Sequence, residues 1–138
     1  MDAICNKIRT SFSKQGFMKT LGAQLENIDR GEVSISCSLN EGVSQQNGFF
    51  HAGVLVSICD SACGYAALTT MPLEADVLSV EFKINLLRPS NCDQILAVGT
   101  VLKAGKTLTI CEGEVKDKDS GKLLAKMTAT MISIQKNG

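Results

Sequence analysis

The sequence predicts an α+β fold in which an antiparallel sheet wraps around one long apolar helix. Three observations carry this. Residues 52 to 71 form an apolar run that ends at Pro72. After Pro72 the apolar period changes from helical to two, the signature of strands. No internal repeat, low-complexity run or long linker divides the 138 residues, so one domain spanning 1–138 is expected.

The elements follow in order. Residues 3–14 read as a short amphipathic helix, with Ile4, Ile8 and Phe12 on one face, ending before Gly16. Leu21 to Ile28 reads as a strand, turning at Asp29-Arg30-Gly31. Val33, Ile35, Cys37 and Leu39 alternate with Ser34, Ser36 and Ser38, a half-buried strand. Glu41 to Phe50 is a loop. The central helix is expected over about 52–70. Beyond it Leu78, Val80, Phe82, Ile84 and Leu86 should share one strand face, with Ser79, Glu81, Lys83 and Asn85 on the polar one. Ile95 to Leu102 is apolar on both faces and reads as a central strand. Ala104-Gly105-Lys106 and residues 117–121 are tight turns leading into strands 107–116 and 123–134.

Composition removes some functions. Fourteen basic and fourteen acidic residues balance to zero, and the chain has one Tyr and no Trp, so nothing argues for nucleic acid. The central apolar run carries Asp60 in its middle, is rich in small residues and lacks basic flanks, so a buried soluble helix is expected and no membrane span. Six cysteines sit apart at 5, 37, 59, 63, 92 and 111, and no apolar leader follows Met1. Reduced thiols in a cytoplasmic core are expected, with no metal site, because the chain has one His and lacks paired-ligand spacing. The basic, Ser-containing stretch Lys7 to Lys14 leaves a mitochondrial matrix location open.

Asp60 poses the sharpest chemical question. It is the only formally charged residue between Glu41 and Glu74. An ionised carboxylate in apolar surroundings is costly and needs a partner or a purpose. At the other end of the helix, the N–H groups of Ala52 and Gly53 lack intrahelical acceptors and sit at the positive end of the dipole.

The segment Gln45-Gln-Asn-Gly-Phe-Phe-His51-Ala-Gly53, followed by Asp60, resembles the loop-to-helix signature of hot-dog acyl-CoA thioesterases, nearest the phenylacetyl-CoA thioesterase branch. Ser79-Val-Glu-Phe, Leu87-Arg-Pro89, Gly105-Lys-Thr-Leu108 and Ser120-Gly-Lys-Leu-Leu-Ala125 resemble the same branch. The order of elements is that of the hot-dog fold. One departure is Ala52, where the family usually has Gly; Ala keeps the N–H but adds a Cβ.

The resemblance implies hydrolysis of an acyl-CoA to a carboxylic acid and free CoA, with no cofactor. It assigns Asp60 as nucleophile or general base, the Ala52 N–H as oxyanion hole, Gln45 near the thioester and Ser79 as the group orienting Asp60 or its water. It gives His51 and Gly53 to the substrate-binding turn, where His51 shapes the loop. Arg88 and Lys106 are the cations expected near the CoA phosphates. Acyl carrier protein could replace CoA as the carrier. A hot-dog hydratase or dehydratase and a non-enzymatic acyl-CoA-binding module remain as alternatives.

Spacing adds an expectation of its own. Ala52 and Asp60 are eight residues apart, about 12 Å along a helix. Reacting atoms must approach within about 3.5 Å, so one chain cannot present both groups to one thioester. The working unit should be at least a homodimer with shared sites, and a homotetramer is expected.

Overall fold

The computed structural model describes residues 1–135. Two helices, α1 (Asp2–Lys14) and α2 (Gly16–Leu21), precede a hairpin of β1 (Gln24–Asp29) and β2 (Glu32–Ser38). A short 3₁₀ turn (Glu41–Val43) leads to the central helix α3 (Ala52–Leu68). Four strands follow: β3 (Ala75–Leu86), β4 (Gln94–Ala104), β5 (Leu108–Asp117) and β6 (Leu123–Gln135). They form one antiparallel sheet in the order β1-β2-β4-β5-β6-β3, with α3 packed across its inner face. This is the expected hot-dog arrangement.

One local expectation is corrected. Leu21 ends a helix and does not start a strand. Gly22 takes φ 72°, and its N–H and that of Ala23 cap the carbonyls of Lys19 and Met18. The Ile95–Leu102 stretch takes the central place expected of it. Its inner residues Ile95, Ala97 and Gly99 are buried, while Leu96, Val98 and Thr100 are half-exposed.

The larger correction concerns β3. Its pairing with β6 slips between Ser79 and Glu81, leaving Val80 as an extra residue. Ser79 lies opposite buried Met131, on the inner face. Beyond the slip Phe82, Ile84 and Leu86 lie opposite inner residues Ala129, Met127 and Ala125. Leu78 lies opposite Ile132 on the outer face. Ser79 therefore shares its face with Phe82 and Ile84, not with Glu81 and Lys83 as the alternation implied. Period-two patterning predicts one face only while pairing stays in register.

The helix seats closely because the sheet is hollowed beneath it. Gly99 and Gly113 are directly paired on β4 and β5. A Cβ on Gly99 would fall 2.5 Å from the Ala62 carbonyl carbon and the Cys63 nitrogen. One on Gly113 would fall 2.4 Å from the Cys59 sulfur. Backbone cannot step aside as a side chain can. Gly99→Ala should destabilise by about 3 kcal/mol, the upper range for overpacking, and more than Gly113→Ala. Urea midpoints check this; a Gly99→Ala midpoint equal to wild type contradicts it.

All six thiols are free, and Cys37, Cys59, Cys63 and Cys111 are buried. Burial pushes the Cys111 thiol up to about 12, with the Cys63 thiol beside it adding to the rise. Cys63 is also raised, by its hydrogen bond to Cys59, by burial and by the nearby Asp60 charge. An unfolded chain would ionise these thiols near pH 8.5 while the native one keeps the protons. The native state then binds more protons, so stability present below that pH falls as pH rises toward 12, by up to about 1.4 kcal/mol per pH unit per thiol. Urea unfolding under reducing conditions at pH 8, 9 and 10 should show the decline, and Cys111→Ala should make it shallower.

Among the described residues, no helix is long and apolar enough to cross a membrane.

Candidate active site

The N-terminus of α3 is built by the loop before it. His51 is the N-cap: its Nδ1 accepts from the Gly53 N–H at 2.8 Å. The proton of the neutral ring is therefore on Nε2. The His51 N–H donates to the Val43 carbonyl, and the Phe50 N–H to that of Ser90, which fixes the entry angle. Gln45 Oε1 accepts the N–H groups of Asn47 at 2.6 Å and Phe49 at 3.1 Å. Its amide NH₂ is thereby turned away from the loop backbone.

One of the two leading N–H groups is thus spent. Gly53 donates to His51, whereas Ala52, the first helical residue, has no acceptor within the helix. A Cβ on Gly53 would lie 3.0 Å from His51 Nδ1, so a side chain here would press on the capping ring. Ala52, Gln45 and Arg88 line one cavity of 380 Å³, with Leu55, Leu87 and Pro89. Arg88 donates to the Leu123 carbonyl at 2.7 Å, which anchors its guanidinium near this mouth.

Asp60 lies two turns further along α3. The expectation that it is buried among apolar side chains is corrected by the helix's two-sided character. Val54, Leu55, Ile58, Cys59, Ala62 and Cys63 face the sheet and are buried. Gly53, Val56, Ser57, Asp60, Ser61 and Gly64 recur at spacings of three and four and form a half-open strip. Asp60 belongs to that strip. Ser79 Oγ donates to its Oδ1 at 2.6 Å. Ser57 donates to the Gly53 carbonyl and not to Asp60. The bulge at Val80 is what turns Ser79 inward to make this bond.

Asp60 and Ser79 line a second cavity, of 190 Å³, distinct from the one at Ala52. The expected residues therefore fall into two groups: Gln45, Ala52 and Arg88 in one place, Asp60 and Ser79 in another. His51 and Gly53 cap the helix beside the first. Lys106 lines neither cavity; it sits in the β4–β5 turn, at the sheet end where Leu108 faces Ile132.

The sequence pattern of the Thioesterase superfamily matches residues 47–124, more than half the chain. The chain belongs to the thioesterase superfamily. A solved thioesterase-family protein from Silicibacter pomeroyi is similar to this thioesterase at 37% identity, with a TM-score of 0.92, covering 96% of this chain and 99% of that one. A Saccharolobus solfataricus protein named as an esterase is 34% identical over 108 residues, 78% of this chain and 76% of its own length. Human acyl-coenzyme A thioesterase 13 is 28% identical over 120 residues, 86% of this chain and 85% of its own. The chain is a thioester hydrolase.

The family match takes in the His51 turn, α3, Ser79, Arg88 and Lys106, and leaves out Gln45 and all of α1. Yet α1 reaches the cavity of this thioesterase at Asp60. Ser11 and Gln15 line it and both bond the Tyr65 hydroxyl, Ser11 Oγ at 3.0 Å and Gln15 Nε2 at 2.7 Å. The sequence reads α1 as an amphipathic helix and gives one signal of this cluster, a lone Tyr whose hydroxyl needs a partner when buried.

Proposed function

We propose that this thioesterase hydrolyses acyl-CoA as a homodimer, each site joining Asp60 and Ser79 of one protomer to Ala52 and Gln45 of the other. The observation carrying this is the separation of the two groups into different cavities, at helix positions about 12 Å apart. An antiparallel pair of α3 helices about a two-fold axis would close that gap. Two features support it. The open strip of α3 carries Gly53, Ser57 and Ser61, small residues that permit close approach. Strand β3 is a sheet edge, and its inner residues Phe82 and Leu86 stay 40% and 54% exposed. An unpaired apolar edge invites a second strand.

In this reading the thioester oxygen takes the Ala52 N–H of the partner subunit, with the Gln45 amide as a second donor. Asp60, held by Ser79, either attacks the carbonyl carbon or takes a proton from the attacking water. Attack by Asp60 gives a mixed anhydride and CoA thiolate, and water then cleaves the anhydride. Attack by water gives a tetrahedral intermediate that expels the same thiolate. Single turnover in ¹⁸O-water detects the anhydride route when water attacks its Asp60 carbonyl: label then stays in Asp60, which direct attack of water on the thioester never gives. Arg88 at the cavity mouth and Lys106 at the β4–β5 turn are assigned to the CoA phosphates.

Release of free thiol from a panel of acyl-CoAs, with acyl carrier protein thioesters run beside them, tests the reading. Equimolar acid and CoA are expected. Conversion of enoyl or 3-hydroxyacyl thioesters with the thioester intact would support a hydratase instead, and binding without turnover a sensor.

A further inference from the structure

The 190 Å³ cavity continues past Asp60 along one stripe of α3: Gly64 is one turn on and Leu68 another, with Tyr65 beside them. Taking Asp60 as the reacting end, as proposed above, an acyl group entering this cavity passes Gly64 about 6 Å along the helix axis. It then meets Tyr65, Gln15 and Ser11.

Within the protomer nothing requires glycine at position 64. Its backbone is not in the left-handed region, unlike Gly22, Gly31, Gly48 and Gly121. An added Cβ would meet nothing within 4 Å, in contrast to Gly99 against Ala62. Glycine inside a helix is unfavourable, so an unforced one needs another explanation. The neighbouring small residues Ala62 and Ala66 face the sheet and are fully buried, so Gly64 alone of the three opens space in the cavity.

Among the described residues, the far end is polar and is lined by no cation. The Tyr65 hydroxyl accepts from Gln15 and shares a hydrogen with Ser11, and the residue is only 5% exposed. The charged residues lining the cavity are both acidic, Asp60 and Asp76. Such an end can bond a neutral hydroxyl or carbonyl and repels a carboxylate. The wall is fixed in place: Lys7 ties α1 to the Leu73 and Ala75 carbonyls after α3, and Phe12 packs on Tyr65 with ring centroids 6.3 Å apart.

We propose that Gly64 and the Tyr65–Gln15–Ser11 cluster determine acyl specificity: the site takes short acyl groups bearing a neutral hydrogen-bonding group at the far end and rejects those ending in a carboxylate. The α1 half of this determinant lies outside the segment shared with the family pattern.

Two substrate series test it by kcat/KM: hexanoyl-, 6-hydroxyhexanoyl- and adipoyl-CoA for polarity, and butyryl-, hexanoyl- and octanoyl-CoA for depth. Wild type should favour 6-hydroxyhexanoyl- over hexanoyl-CoA by about tenfold and over adipoyl-CoA by more. Tyr65→Phe and Gln15→Leu should each bring the first ratio toward one. Gly64→Ala should shift the butyryl-to-octanoyl ratio at least about tenfold toward butyryl, while raising Tm by about 2–5 °C. These ratios do not depend on the folded fraction. The inference is overturned if Gly64→Ala lowers every substrate by one factor or changes the oligomeric state, or if both polar variants keep the hydroxyl preference. Wild type releasing no CoA from any of these substrates, or from the wider panel, would instead defeat the underlying acyl-CoA reading.

Discussion

Asp60→Asn should lower kcat by about 10³-fold or more while leaving KM within a few-fold. The loss expected for removing a general base spans about 10²–10⁴, and losing a nucleophile lies at or beyond its upper end. Asn keeps the shape of Asp and an oxygen for the Ser79 hydroxyl, so the 2.6 Å bond and the local packing should survive. What goes is the negative charge and the ability to attack or to take a proton. The control is therefore internal: Tm should move little while turnover collapses. Asp60→Asn with wild-type kcat on any acyl-CoA would remove this residue from the chemistry. It would leave the carboxylate on the open strip without a catalytic explanation.

Ala52→Pro should cost about 10²–10³ in kcat, the range for deleting one oxyanion donor. Proline suits this position otherwise, since the first helical residue needs no intrahelical N–H bond and prefers the φ that Pro imposes. The substitution removes one hydrogen from the proposed site and little else. Mixing it with Asp60→Asn then asks whether sites are shared. If the subunits exchange freely, half the dimers are mixed. In each mixed dimer one site is assembled from two intact halves and the other from two damaged ones. About a quarter of wild-type activity should return. Two inactive proteins that stay inactive after verified subunit exchange would show that Asp60 and Ala52 do not meet across an interface.

Much of this molecule is legible in one dimension, for identifiable reasons. The order of long elements survives because the apolar period changes at Pro72 from three-and-four to two. The turns at Gly31 and Gly121 are marked because both glycines carry positive φ, 78° and 77°. The six residues of α2 complete too few turns to display a face, and the strand assigned from Leu21 began on the last of them. Asp60 looked buried because hydropathy along a helix averages over its faces; the half-open strip appears only when residues are placed on the cylinder. The Asp60–Ala52 spacing needed only helix geometry, whereas the part His51 plays in shaping the loop came from the family resemblance. The Tyr65 contacts needed the tertiary fold, since Ser11 and Gln15 lie 54 and 50 residues away in the chain.

The slip at Val80 also bears on how this site tolerates change in chain length. A strand is a lattice of two parities, and the extra residue switches parity between Ser79 and Phe82. Deleting Val80 would keep every chemically active residue of the site in the chain. It would nonetheless force a choice: hold Phe82, Ile84 and Leu86 inward and rotate the serine away from Asp60, or hold the serine and expel the apolar row. A one-residue deletion here is therefore a harsher change than Ser79→Ala, because no side-chain replacement elsewhere restores an odd count.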